Sequence, residues 1–195
     1  MKANKMKTKD LIYSGAFAAV YIIMVLVVVT AMGFVPFLYL FASPAVVGMI
    51  GATIYLIYVN KVKKFGAITI LALLFGLMTT TGGHPYSIMF AIPLGLIADA
   101  VAKSGKYESK KMNQLSYLIF NLTMVGPFFT LVVAKDAFVE SVVEYYGQDY
   151  GNALAALAVD GLIFIQLGLA LVGAIIGCVL ANTLFKKHFQ KAGIA

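Results

Sequence analysis

Few side chains in this sequence could do chemistry, and they are scattered. His84 stands in the turn Gly82-Gly83-His84-Pro85, preceded by Thr79-Thr80-Thr81 and followed by Tyr86. An imidazole there could hold a ligand, axial ligation of a haem-like iron included, or could serve only as a turn residue. No second metal ligand stands at a suitable spacing, so neither a metal site nor a cofactor is expected. Asp99, Asn121, Thr123, Asp160 and Gln166 interrupt otherwise apolar stretches. Burying such groups in a membrane is costly, which makes each a candidate for function. Asp99 also precedes Lys103 by four positions, the spacing of a helical ion pair. Asp136, Glu140 and Glu144 recur every four residues, which places their carboxylates on one helical face. Phe138, Val139, Val142, Val143 and Tyr146 supply an apolar side to the same segment. A short helix at a membrane interface and a solvated acidic connector both fit it.

The absences are equally informative. Ser104-Gly105-Lys106 lacks the preceding glycine of a phosphate-binding loop. There is no H-E-x-x-H, no G-x-S-x-G and no Cys/His cluster, so no catalytic role is expected. No filter-like loop or charge ring suggests a channel. Cys178 is the lone cysteine; it can form no internal disulfide and reads as a small packing residue. His188 sits among lysines and carries no signal.

The elements that must position these residues follow from charge and hydropathy. Of 195 residues 62% are hydrophobic and only 12% charged, and the mean hydropathy is +0.93. A soluble domain needs more polar surface than that. Uncharged runs cover 11–60, 65–98, 112–134 and 161–185. A crossing takes roughly 20 apolar residues, so the first two runs must each hold two. Gly33-Phe34-Val35-Pro36 and Gly82-Gly83-His84-Pro85 are the natural breaks. The expectation is an all-α bundle of about six transmembrane helices, near 10–32, 40–60, 65–82, 86–102, 112–134 and 158–185. It forms one integral membrane domain over 1–195.

All fifteen basic residues are lysines. With six crossings and a cytoplasmic start, Lys135 alone falls outside, as the positive-inside rule requires. Both termini are then cytoplasmic, and the protein belongs in a bacterial cytoplasmic membrane. The net charge of +7 reads as topology and contact with lipid headgroups, not nucleic-acid binding. The start loosely imitates a signal peptide, with Val29/Ala31 as its cleavage pair, but the apolar run 11–32 is long enough to span.

Helix breaks at Pro93 and at Gly126-Pro127, with polar groups beneath the outer loops, suggest a pocket open to the exterior. Its candidate lining is Thr81, His84, Tyr86, Asn121, Tyr146, Asp160 and Gln166. Gly147 and Gly151 should end the interfacial helix between helices 5 and 6 and allow a hinge into helix 6. Small residues spaced by four form strips at Ser14/Ala18 and Gly15/Ala19, at Gly48/Ala52, and at Gly173/Gly177/Ala181. Such strips let helices approach closely, within the bundle or against a partner.

The segment Leu11-Ile12-Tyr13-Ser14-Gly15-Ala16-Phe17-Ala18-Ala19-Val20-Tyr21, with Thr-Gly-Gly-His-Pro at 81–85, resembles the substrate-specific (S) components of energy-coupling factor transporters. Within them it looks most like the MptD type, whose substrates are largely unassigned. The resemblance implies a substrate-binding subunit that captures a vitamin or other micronutrient outside. It would deliver it inward by toppling, with a transmembrane coupling (T) component and two ATPases as partners. Family members dock on the T component through Ala-x-x-x-Ala on helix 1. Here Ser14, Gly15, Ala18 and Ala19 hold that spacing, although the first member is not alanine. No vitamin-binding signature carries over. An autonomous proton-coupled transporter using Asp99, Asp160 or His84 is the alternative, weakened by the lack of a visible inverted repeat. A membrane scaffold packing through its small-residue strips is a third reading.

Overall fold

A computed structural model describes residues 5–185. Every regular element among them is helical: α1 (Thr8–Gly33), α2 (Ser43–Val62), α3 (Ala67–Thr81), α4 (Ser87–Ser104), α5 (Lys110–Asn121), α6 (Val125–Val133), α7 (Lys135–Tyr146), α8 (Gln148–Leu157) and α9 (Leu162–Leu184). A π-helical turn, Leu38–Ala42, leads directly into α2, and a 3-10 turn, Leu122–Met124, joins α5 to α6. Five spans are long and apolar enough to cross a membrane: Thr8–Gly33, Leu38–Val62, Ser87–Ser104, Lys110–Val133 and Leu162–Leu184. Ala67–Thr81 is apolar but shorter.

The two ends of the bundle differ in charge. At one end the Lys63 ammonium meets the Glu108 carboxylate at 3.2 Å, joining the α2–α3 and α4–α5 connections. Lys61, Lys64, Lys103, Lys106, Lys110 and Lys111 belong to the same connections or the helix ends beside them. At the other end stand Asp136, Glu140, Glu144, Asp149 and Asp160, with Lys135. Lys2, Lys186, Lys187, Lys191 and His188 lie outside the described residues.

The surface is greasy, and polar groups are set into a large apolar interior. Ile12, Val20, Ile23, Val27, Phe164 and Val179 are exposed, whereas Ser14, Asp99, Ser116, Asn121 and Gln166 are fully buried. These buried groups bind helices to one another. Ser116 donates to the Ala98 carbonyl at 2.6 Å, so Tyr55, 2.6 Å away, donates to Ser116. Tyr117 donates to the Gly48 carbonyl at 2.6 Å. Tyr58 joins α1 and α3, its hydroxyl 2.8 Å from Ser14 Oγ and 2.7 Å from the Ala67 carbonyl. The strips on α2 and α9 face each other. A Cβ on Gly177 would stand 2.5 Å from the Gly48 carbonyl, and one on Gly48 would stand 2.8 Å from the Ala174 nitrogen.

Several boundaries depart from the sequence expectation, each for a physical reason. The helix expected over 112–134 changes type at Leu122–Met124, just ahead of Gly126-Pro127. Proline has no N–H, and its ring crowds the carbonyl four residues earlier, so the disturbance falls on Thr123. The helix expected over 158–185 starts at Leu162, because α8 occupies Gln148–Leu157 and Gly161 takes φ +80. Gly147, at φ +87, ends α7. Gly151 ends nothing: it lies inside α8, where a Cβ would collide with Val143. The single interfacial helix is thus a pair, α7 and α8, folded on each other.

Asp99 does not pair with Lys103, whose ammonium lies 4.7 Å from the centroid of the Phe65 ring. The Asp99 carboxylate instead caps α3 from α4. It accepts from the Gly66 N–H at 2.7 Å, the Thr69 N–H at 3.1 Å and the Thr69 hydroxyl at 3.0 Å. Tyr107 donates to its other oxygen at 3.0 Å. A carboxylate on a helix N-terminus neutralises orphan N–H groups and the positive end of the dipole together. Asp99→Ala should therefore lower stability by about 2–3 kcal/mol and Tyr107→Phe by about 1 kcal/mol. Thermal unfolding of the purified protein in detergent measures both.

Candidate functional site

At the end opposite the lysines the helices part around a chamber of about 570 Å³. That lies within the range of small-molecule sites. Three groups of elements build it. The C-terminal turn of α1 and the stretch after it supply Thr30, Gly33 and Tyr39. The α3–α4 turn supplies Gly82 through Tyr86, and α6, α7 and α8 supply Thr130, Phe138, Tyr146 and Tyr150. A smaller, apolar pocket of about 150 Å³ adjoins it, lined by Val25, Phe75, Met78, Met124 and Phe128 among others. Val29, Tyr39, Gly82 and His84 line both spaces.

The α3–α4 turn places His84 at this junction. The N–H groups of Gly82, Gly83 and His84 are all spent on α3 carbonyls, those of Met78, Thr80 and Thr79. Gly83 takes φ +95, a conformation that favours glycine. The imidazole packs against Phe138 with centroids 5.7 Å apart. Burial holds it below its ordinary value of 6.5, while the Pro127 carbonyl acts in the opposite sense. His84 is therefore a neutral ring at neutral pH, and its buried Nδ1 has no hydrogen-bond partner. The Thr130 hydroxyl on the chamber wall is likewise buried and unpartnered.

The α7–α8 pair forms the roof. Phe138 and Leu154 seat it in a small core with Leu40, Phe128, Leu131 and Leu162. Tyr146 and Tyr150 stack with centroids 4.9 Å apart. The Tyr150 hydroxyl donates to the Gly33 carbonyl at 2.6 Å, latching the roof to the end of α1.

The sequence candidates divide. His84, Tyr86 and Tyr146 line the chamber. Thr81 does not; its hydroxyl donates back to the Leu77 and Met78 carbonyls of its own helix. Asp160 is exposed in the α8–α9 turn and is not part of the chamber wall. Asn121 and Gln166 are buried clamps instead. Asn121 donates to the Ala170 carbonyl at 2.8 Å, and Gln166 to the Leu40 carbonyl at 3.2 Å. Tyr39, Thr130, Phe138 and Tyr150 also line the chamber without having been among the sequence candidates. The outer tyrosines could be read from the sequence as lining for a planar site, but nothing local told that role from membrane-interface anchoring. On α1, Ser14 and Ala18 face the bundle, whereas Gly15 and Ala19 are exposed, with nothing within 4 Å of a Cβ at Gly15. Among the described residues no three His, Cys, Asp or Glu side chains are grouped to hold a metal.

Five helices long and apolar enough to cross a membrane, with a greasy exterior, define a multi-pass helical membrane protein. The chain belongs to the family described as hypothetical bacterial integral membrane protein (Trep_Strep), whose model matches residues 8–191. No curated protein and no solved structure matches it.

Two measurements test the site. Tyr150→Phe should free the roof, giving faster amide hydrogen exchange across 135–157 with little change elsewhere. Because the folded His84 resists protonation, the unfolded chain takes up the extra proton, and stability should fall as pH drops below about 6.5. In His84→Phe that acid-side loss should shrink, as read from unfolding midpoints at a series of pH values.

Proposed function

We propose that this protein is the substrate-capturing membrane subunit of an energy-coupling factor importer, with no catalysis of its own. The observation that carries the reading is the roofed chamber at the lysine-poor end. If the lysine-rich end is cytoplasmic, as the positive-inside rule favours, the chamber opens outward. The topology proposed is six crossings with both termini in the cytoplasm. Support for counting α3 comes from its placement: Gly66, just before it, is held by Asp99 at the lysine end, and Gly82, just after it, lines the chamber. At about 1.5 Å per residue it is short for a crossing, but its neighbours enclose it and the bilayer need not be thick there.

The partners proposed are a T component and two ATPases in a bacterial cytoplasmic membrane. The exposed half of the α1 strip, Gly15 and Ala19, offers a smooth surface for the T component, while Ser14 and Ala18 are taken up inside the bundle. A proton-coupled transporter gains no support from Asp99, which is engaged as a helix cap far from the chamber, nor from the exposed Asp160.

Purification from the host with the neighbouring gene products tests the reading. A complex with a T component and two ATPases is expected by native mass spectrometry. Gly15→Leu should abolish it without lowering the unfolding midpoint, since the added side chain meets open space. A chain that runs alone under the same conditions would sink the proposal.

A further inference from the structure

The chamber's chemistry narrows what it can hold, granted that it is the capture site. Its wall carries no Lys, Arg, Asp or Glu. A charge of either sign meets no countercharge in the wall, where an unpaired buried charge is costly, so the aromatic lining and the surroundings of the mouth decide the sign. Nor is there a nest of backbone N–H groups for an anion, because those of residues 82–84 are turned to α3 carbonyls. What the wall does offer is aromatic side chains, Tyr39, Phe138, Tyr146 and Tyr150 among them, and unpartnered polar atoms. Thr130 is only 6% exposed and its hydroxyl has no partner. His84 Nδ1 is a second buried polar atom without one. A neutral imidazole carries one N–H and one lone pair, so with its proton on Nε2 the unpartnered Nδ1 is an acceptor. Outside the wall, the roof is acidic: Asp136, Glu140, Glu144 and Asp149 are exposed on α7 and α8, against Lys135 as their one basic neighbour on those helices.

We infer that the chamber takes a flat, positively charged heteroaromatic amine, its ring against the tyrosines and an N–H donated to His84 Nδ1. Each feature of the site has a part in this. Tyrosine faces attract a cation through their quadrupoles, and the attraction grows when water is excluded. The acidic roof raises the local concentration of cations at the mouth without burying a carboxylate beside the ligand. Thr130 provides a second hydrogen bond from the α6 wall. The small apolar pocket beyond His84 and Tyr39 accommodates a short alkyl substituent on the ring and rejects a polar one.

The test is a pair of probes with one ring system and opposite charge, an aminoquinolinium cation and the matching quinoline carboxylate. Each is titrated by calorimetry against the full-length protein in lipid nanodiscs. The cation should bind at least about tenfold tighter than the carboxylate, and its affinity should fall as salt rises. Tyr146→Leu and His84→Phe should each weaken it by about tenfold. Tyr146 is 61% exposed, so the fold tolerates its change, and an unaltered unfolding midpoint documents that. Carboxylate binding equal to or tighter than the cation's, failure of both probes, or full affinity in Tyr146→Leu would each overturn the ligand class. None of these outcomes touches assembly with a T component, which Gly15→Leu tests on another face. Conversely, cation binding by a chain that assembles with nothing would keep this site and discard the importer.

Discussion

The structure depends on one constraint: a helix in lipid has no water with which to satisfy a stray polar group. Four of its buried polar side chains therefore sit between helices and bind backbone carbonyls of other segments. Ser116 reaches Ala98, Tyr117 reaches Gly48, Asn121 reaches Ala170 and Gln166 reaches Leu40. Each bond fixes a register that apolar packing alone, with lipid as apolar as leucine, would leave loose. The glycines of α2 and α9 complete the arrangement, since only without Cβ atoms can those two helices come close.

Asp99 extends the same logic to charge. A carboxylate inside a bundle is tolerable only when fully hydrogen-bonded, and four donors from Gly66, Thr69 and Tyr107 meet it. The positive φ of Lys106 and Tyr107, 54° and 58°, shows that the α4–α5 connection adopts an unfavourable backbone to deliver that phenol. The lysine end is thereby rigidly tied. The chamber end is not: its roof rests on one small apolar cluster, the Tyr150 latch and a bond from Lys135 to the Ala158 carbonyl. The bundle is thus densely hydrogen-bonded at one end and roofed at the other by a helix pair with few ties.

Much of this was legible in the sequence, because charge and hydropathy act over whole helices. The lysine clusters marked the ends of α2 and α4, and the breaks at 33–36 and 82–85 fall where α1 and α3 stop. Gly147 was readable as the end of α7. Gly151 was misread because a glycine that turns the chain and one that admits a neighbour's side chain look alike in sequence; Val143, eight residues away, decides between them. The polar candidates divide for a related reason. Thr81, Asn121 and Gln166 stand at the expected depths, but direction, not depth, settles whether a side chain meets a ligand or another helix. Only the three-dimensional path of α3, α5 and α9 fixes that direction.

Helix α1 shows how much direction decides. Its two strips differ by one position in sequence, about 100° around the axis. That rotation sends Ser14 and Ala18 against the bundle, where Ser14 meets Tyr58, and leaves Gly15 and Ala19 facing outward. Small side chains facing outward gain nothing from packing inside the protein, and larger apolar residues would suit lipid equally well. Beside them Ile12, Val20, Ile23 and Val27 give the same face a continuous greasy surface. A helix approaching there could come close at Gly15 and Ala19 and interlock with the larger neighbours. The inner strip thus holds α1 in the fold, and the outer one leaves a smooth surface uncovered.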